Sequence, residues 1–237
     1  MSPRRAGIAA AAVSLAFGAV GMGDGHAQTS RRGIPSLSSA PAPTASDLAR
    51  NERLRAASEP FEKLTEISFD QDLTTIDQTI SEAQKSVAEL GNALSGEAAQ
   101  QVGQQLSALR TGREKADRVA LALSSIEIYR LLVTAAAPGS KVPNEVYLLD
   151  YAGFRCNADL KAVPVRWEDM AQAASFARAS WAVLLPMAER SPISARFSKA
   201  LADIEQSVAQ RDAPLAAAAV KAELDLVDEL ETFFAAK

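Results

Sequence analysis

Histidine and cysteine are almost absent from this chain, each occurring once in 237 residues, and aromatic side chains make up only 5% of it. The position of the histidine sharpens that scarcity. His26 lies in an N-terminal segment with the form of a secretory leader. Met1-Ser-Pro-Arg-Arg is a short basic start, Ala6 through Gly23 is an uncharged Ala/Val/Leu/Phe run, and Gly25 and Ala27 satisfy the small-x-small rule for cleavage after Ala27. The run is too rich in Ala and Gly for a convincing membrane anchor. Ser-Pro before Arg4-Arg5 and Ala-Gly after it favour general secretion over the twin-arginine route.

Loss of residues 1–27 takes away His26 with Arg4, Arg5 and Asp24, and leaves 210 residues with a net charge of −5. The expected mature chain therefore has no imidazole for acid–base catalysis and no His-ligated zinc, copper, haem or non-haem iron site. Cys156 is alone in what is expected to be an oxidising periplasm, so no intramolecular disulfide can form, and a buried, inert thiol is the expected state. No C-x-x-C-H haem-attachment motif occurs. A G-x-S-x-G elbow and a Gly-rich phosphate loop are also missing, which leaves the serines without a catalytic frame. A pI near 5.2 provides no basic footprint for nucleic acid. No catalytic residue, cofactor or transmembrane span is expected in the mature chain.

What remains is 48% hydrophobic and 23% charged, an ordinary globular balance. Residues 28–46 carry Ser, Pro and Ala without an apolar period and are expected to form a flexible tether. From Asp47 to Lys237, runs of Ala, Leu, Glu, Gln, Lys and Arg broken by Gly/Pro clusters predict a single all-α domain. Leu73, Ile76, Ile80, Ala83, Val87, Leu90 and Leu94 step by three and four after an N-cap near Asp70. A second stripe runs from Val102 to Val133, a third segment from Pro143 to about Ala162, and a fourth carries Trp167, Met170, Ala174, Trp181 and Leu184. Ser191-Pro192 and Asp212-Ala213-Pro214 each start a further helix. A separate short helix is expected from Ser58-Glu59-Pro60. Short connections predict an up-and-down antiparallel bundle of four long helices, some kinked or split at Gly112, Pro164 and Pro214.

Two stretches break the amphipathic pattern. Glu127, Tyr129 and Arg130 sit inside the apolar run 125–132, and Tyr147, Asp150 and Tyr151 inside 146–155; all three tyrosines of the protein fall here. A buried charge needs a partner, so packing of the two segments as a hairpin would let Glu127 or Arg130 meet Asp150. Two readings follow. The six residues line a ligand pocket, or Arg and carboxylate form an internal pair that fixes helix register. Asp70, Asp72 and Asp77 are expected to serve a helix start, and Glu223, Asp225, Asp228, Glu229 and Glu231 to form a solvated face.

The functional expectation is an exported, non-enzymatic binding or accessory protein that engages a small ligand or a periplasmic protein partner. Carboxylates with phenol oxygens would alternatively suit a carrier or sensor of a hard cation such as Ca²⁺, Fe³⁺ or a lanthanide. An enzyme working without histidine is the remaining class.

Overall fold

A computed structural model of the chain describes residues 43–237; the expected leader and residues 28–42 of the expected tether lie outside them, and the last tether residues, Ala45 and Ser46, belong instead to the first helix. The described residues are all-helical, with eight α-helices and one 3₁₀ turn. They are α1 (Ala45–Ile67), α2 (Leu73–Leu90), α3 (Gly96–Glu114), α4 (Arg118–Ala135), α5 (Asn144–Lys161), α6 (Trp167–Ala188), α7 (Ile193–Gln210) and α8 (Ala213–Ala235). Where four long helices were expected, the described residues form eight of 18 to 23 residues.

The helix ends explain the difference. Gly112 does not split the second run; it lies inside α3, and the break follows at Ala116, which takes a left-handed φ of 52° before Asp117 caps α4 by accepting from Ala120 N at 3.0 Å. The breaks near Pro164 and Pro214 fall where expected. At the second, Arg211 ends α7 in the left-handed region and Asp212 accepts from Leu215 N at 3.0 Å. Pro60 starts no separate helix. α1 begins fifteen residues earlier, with a capping box between Thr44 and Asp47, and runs through Pro60 to Ile67. The cap expected near Asp70 is Asp72. Ser95 caps α3, and Ser191 Oγ accepts from Ile193 N at 3.2 Å at the start of α7.

The helices pack with antiparallel neighbours in two sets of four. α1 packs on α2 and α4, and α3 on α4; α5 packs on α6 and α8, and α7 on both α6 and α8. The sets meet where α4 lies against α5. α1 and α8 flank this seam without forming a packed helix pair of their own. One core cluster runs through both sets, from Leu54 and Phe61 through Ile126, Leu132 and Leu149 to Trp181, Phe197 and Leu230. A second, of Leu64, Ile76, Ile80, Leu109 and Leu121, fills the far end of the first set.

Long-range polar contacts fasten helix ends that would otherwise leave carbonyls unpaired. Arg53 Nη2 donates to Glu89 O at 2.7 Å and Leu90 O at 2.8 Å, closing the end of α2. Buried Asn51 donates to Ala137 O and accepts from Ala137 N, both at 2.8 Å, just beyond α4. No described helix is long and apolar enough to cross a membrane.

Candidate functional site

The α4–α5 seam carries all six residues singled out from the sequence and divides them between its two sides. On an α-helix, positions two apart point in nearly opposite directions and adjacent positions are about 100° apart. Glu127 and Tyr129 on α4, and Asp150 and Tyr151 on α5, are separated in this way.

Toward α3 and α6, Glu127, Arg130 and Tyr151 form a closed network with Arg155. Arg130 Nε donates to Glu127 Oε2 at 2.9 Å, and Tyr151 OH donates to Glu127 Oε1 at 2.6 Å. Arg155 Nη1 donates both to Glu127 Oε1 and to Tyr151 OH. The Tyr151 ring meets Phe176 of α6 edge-on at 5.3 Å, with the Arg130 guanidinium 5.7 Å from its centre. Burial, together with the hydrogen bond to Glu127, pushes the Tyr151 phenol up to about 12. Glu127 thus does not meet Asp150. Its partners are two guanidiniums and a phenol, and every charge in the group is answered. Arg130 and Glu127 form an internal ion pair within α4, and Arg155 extends it across to α5.

Toward α1 and α8, Tyr129, Tyr147 and Asp150 meet a different environment. Asp150 is 6% exposed and Tyr129 1% exposed. The fully buried Tyr129 phenol oxygen faces the Asp150 carboxylate within hydrogen-bonding reach, and burial followed by that carboxylate raises the phenol well above its ordinary range. Burial, and then the charges of Glu62 on α1 and of Glu223 and Glu231 on α8, raise Asp150 well above the usual carboxylate range. Burial and the surrounding acids Glu231, Glu66, Asp228 and Glu59 push Glu62 up to about 7. Glu66 and Glu231 are raised by burial and by Asp228, and Arg55 partly offsets the rise at Glu231. Arg55 stacks 4.7 Å over the Tyr147 ring and directs Nη2 to Val142 O at 3.2 Å; its Nε has no partner.

Glu223 overturns the expectation of a uniformly solvated α8 face. It is fully buried, both carboxylate oxygens lack partners, and burial raises it far above the ordinary range. It packs on Gly153 of α5, where the missing side chain makes room for it. The signal was present in the sequence: Glu223 is three residues after Val220 and four before Val227, on the buried stripe of its helix. Glu62 and Glu231 gave no comparable signal, because each is half-buried through α1 and α8 flanking the same seam. Asp159, also missed, is fully buried near the end of α5 beside Arg166 Nε at 3.0 Å and Arg155 Nε at 3.9 Å, and burial raises it to about 6 against both cations.

The chemistry open to this face is electrostatic. Ser125 donates to Leu121 O at 2.8 Å, a bond internal to α4. Among the described residues no three Asp, Glu, Cys or His side chains gather closely enough to hold a metal ion. A cavity of about 560 Å³ lies at the α6–α7 turn against the end of α8, with Pro192, Ile193, Phe233 and Asp228 in its wall. Asp228 therefore belongs both to this cavity and to the acids that act on Glu62.

Cys156 is 1% exposed, and burial followed by the Glu223 and Asp159 charges drives its thiol far above the ordinary range. A thiol-specific reagent is expected to leave it unmodified in the native protein at pH 8 and to label it fully in denaturant. Labelling at the same rate in both states would contradict this placement.

Comparison with protein families, with characterised proteins and with solved structures finds no match to this chain.

Proposed function

We propose that this is an exported, non-enzymatic binding protein, acting in the periplasm, whose antiparallel helical bundle holds a small ligand at the α1/α8 side of the α4–α5 seam. The observation that carries the reading is the group of interior polar atoms left without partners there. Both Glu223 oxygens are buried and unsatisfied, and the Glu223 charge acts on Asp150, which faces the fully buried Tyr129 phenol. An unanswered buried polar group costs about 1–3 kcal/mol. Such sites concentrate where a ligand supplies what the fold withholds. The Glu127 network offers no such opening, because its members satisfy one another. Hard-cation carriage is the weaker proposal, since the carboxylates do not converge on a point.

Thermal unfolding against a panel of organic cations, zwitterions, organic anions and hard metal ions tests the reading through the linkage of binding to stability. One class is expected to raise the midpoint by several degrees, and Asp150→Asn to abolish that rise while helical circular dichroism is retained. A flat response across the panel, or a rise that survives Asp150→Asn, would overturn it. Export rests on the leader, and the mass of the protein recovered from the periplasm is expected to correspond to a chain beginning at Gln28.

A further inference from the structure

We propose that a cleft between α1 and α3, floored by α4, binds a small organic anion through the guanidiniums of Arg50 and Arg130. This site is separate from the Asp150 face and does not depend on it.

The cleft follows from the packing. α1 and α3 each pack on α4 without forming a packed pair of their own, which leaves a space of about 330 Å³ over the last turns of α4. Its wall takes one arginine from α1 and one from α4. Each is fixed through Nε. Arg50 Nε donates to Ala93 O at 2.8 Å, in the turn that follows α2. Arg130 Nε donates to Glu127 Oε2 at 2.9 Å, and its guanidinium lies 5.7 Å from the Tyr151 ring centre. A guanidinium has five N–H donors, so the single Nε bond leaves four on each residue. Among the described residues nothing accepts from these four on either arginine, and Arg50 has no ion-pair partner; Asp47, one turn before it, is engaged with Thr44. Two guanidiniums anchored from behind, with their outer N–H groups open, match the paired oxygens of a carboxylate or phosphate.

The rest of the wall defines the size and class of the ligand. Leu131 and Ala135, one turn apart on α4, supply apolar surface for a carbon skeleton, and Thr134, one turn after Arg130, supplies a hydroxyl. The start of α3 borders the cleft at Ser95 and Ala98, and its dipole adds to the attraction for an anion. Glu97 is the one acid in the wall. It is exposed, accepts from Gln101 at 3.5 Å and lies beyond ion-pair distance of both arginines, so it weakens the positive field without occupying it.

Isothermal titration at pH 7 and low salt with succinate and with inorganic phosphate, and with uncharged succinamide as control, tests the site. Saturable binding is expected for at least one of the two anions and none for succinamide; the tighter anion assigns the ligand as carboxylate or phosphate. Arg50→Met and Arg130→Met, with helical circular dichroism retained, are each expected to bind it at least tenfold more weakly. Glu97→Gln, a change at an exposed position, is expected to bind it at least twofold more tightly. Arg178→Met, which removes a cation paired with Glu205 on the α6–α7 face, is expected to bind as the wild type does. Absence of saturable binding of both anions would sink the proposal. So would unchanged affinity in Arg50→Met, an equal loss in Arg178→Met, or weaker binding in Glu97→Gln. Repeating the thermal panel in the Arg50→Met background separates the two sites: an anion response that disappears there belongs to this cleft, and failure of the cleft leaves the Asp150 reading standing.

Discussion

Raising the pH from about 5 to about 8 is expected to lower the unfolding midpoint by on the order of 10 °C, the reverse of what an acidic protein with ion-paired carboxylates would do. The sign follows from Glu62, Asp150 and Glu223, whose carboxyls are raised in the folded state above their unfolded values. Their contribution is fully present below the unfolded carboxylate pKa and is lost as pH rises toward the folded one. For Glu62 that window runs from 4.5 to about 7, which corresponds to about 3 kcal/mol. Asp150 and Glu223 act in the same direction over a range extending further upward. The groups facing them are Glu59, Glu66 and Arg55 on α1, Tyr129 on α4, Tyr147 on α5, and Asp228 and Glu231 on α8. At the acid end, Asp47, Asp72 and Asp77 are held below the usual range by bonds to Thr44, Thr75 and Arg113, so their contributions fade as pH falls. Maximum stability should therefore lie on the acidic side of neutrality. Glu223→Gln sharpens the test. The variant is expected to match the wild type near pH 5 and to exceed it at pH 8, because a neutral amide resembles the protonated acid. A wild-type midpoint that is flat or rising between these pH values would contradict the burial of uncompensated carboxylates.

Gly153→Ala is expected to destabilise the protein by about 2 kcal/mol or more, although alanine is the better helix former by about 1 kcal/mol. A Cβ at this position would overlap Glu223 Oε2 and lie 2.6 Å from Leu224 Cδ2. Glu223 is fully buried, so the α5–α8 contact must open to accommodate the added atom. Gly103 provides the contrast. It lies on an exposed position of α3, and a Cβ there would meet nothing within 4 Å. Gly103→Ala should accordingly stabilise by roughly 0.5–1 kcal/mol, the propensity gain alone. Chemical denaturation of both variants separates the effects. In a double-mutant cycle, Gly153→Ala combined with Glu223→Ala should cost less than the sum of the single changes, since the shorter side chain vacates the space. Additive costs would mean that Glu223 does not press on Gly153.

Much of the architecture was legible because helix stripes and caps are local. The three-and-four spacing from Leu73 to Leu90, the Ser95 cap and the restart at Asp212 are each decided within a turn or two of chain. Gly112 and Pro60 misled for the same reason. Gly112 is a weak breaker, at about 1 kcal/mol, and Pro60 a strong one, at about 3 kcal/mol, yet α3 and α1 run through them. The site was legible in part. Glu127 and Asp150 were correctly placed in apolar runs, but an apolar run does not tell which neighbour a charge will find. That depends on a rotation of about 100° per residue about two helix axes, and it directed Glu127 to Arg155 and Asp150 to Glu62.

The sequence by itself determined the helical class, most of the helix ends, the solitary thiol and the confinement of the only histidine to the first 27 residues, since each follows from composition or from contacts a few residues apart. Only the tertiary structure decided that eight helices pair in two sets about α4 and α5. It also decided that the six candidate residues divide between the two sides of that seam and that Glu62, Glu223 and Glu231 join Asp150. Electrostatic environment is a property of side chains brought together from distant segments, in this case residues 59–66, 150 and 223–231. No local pattern encodes the distance between them.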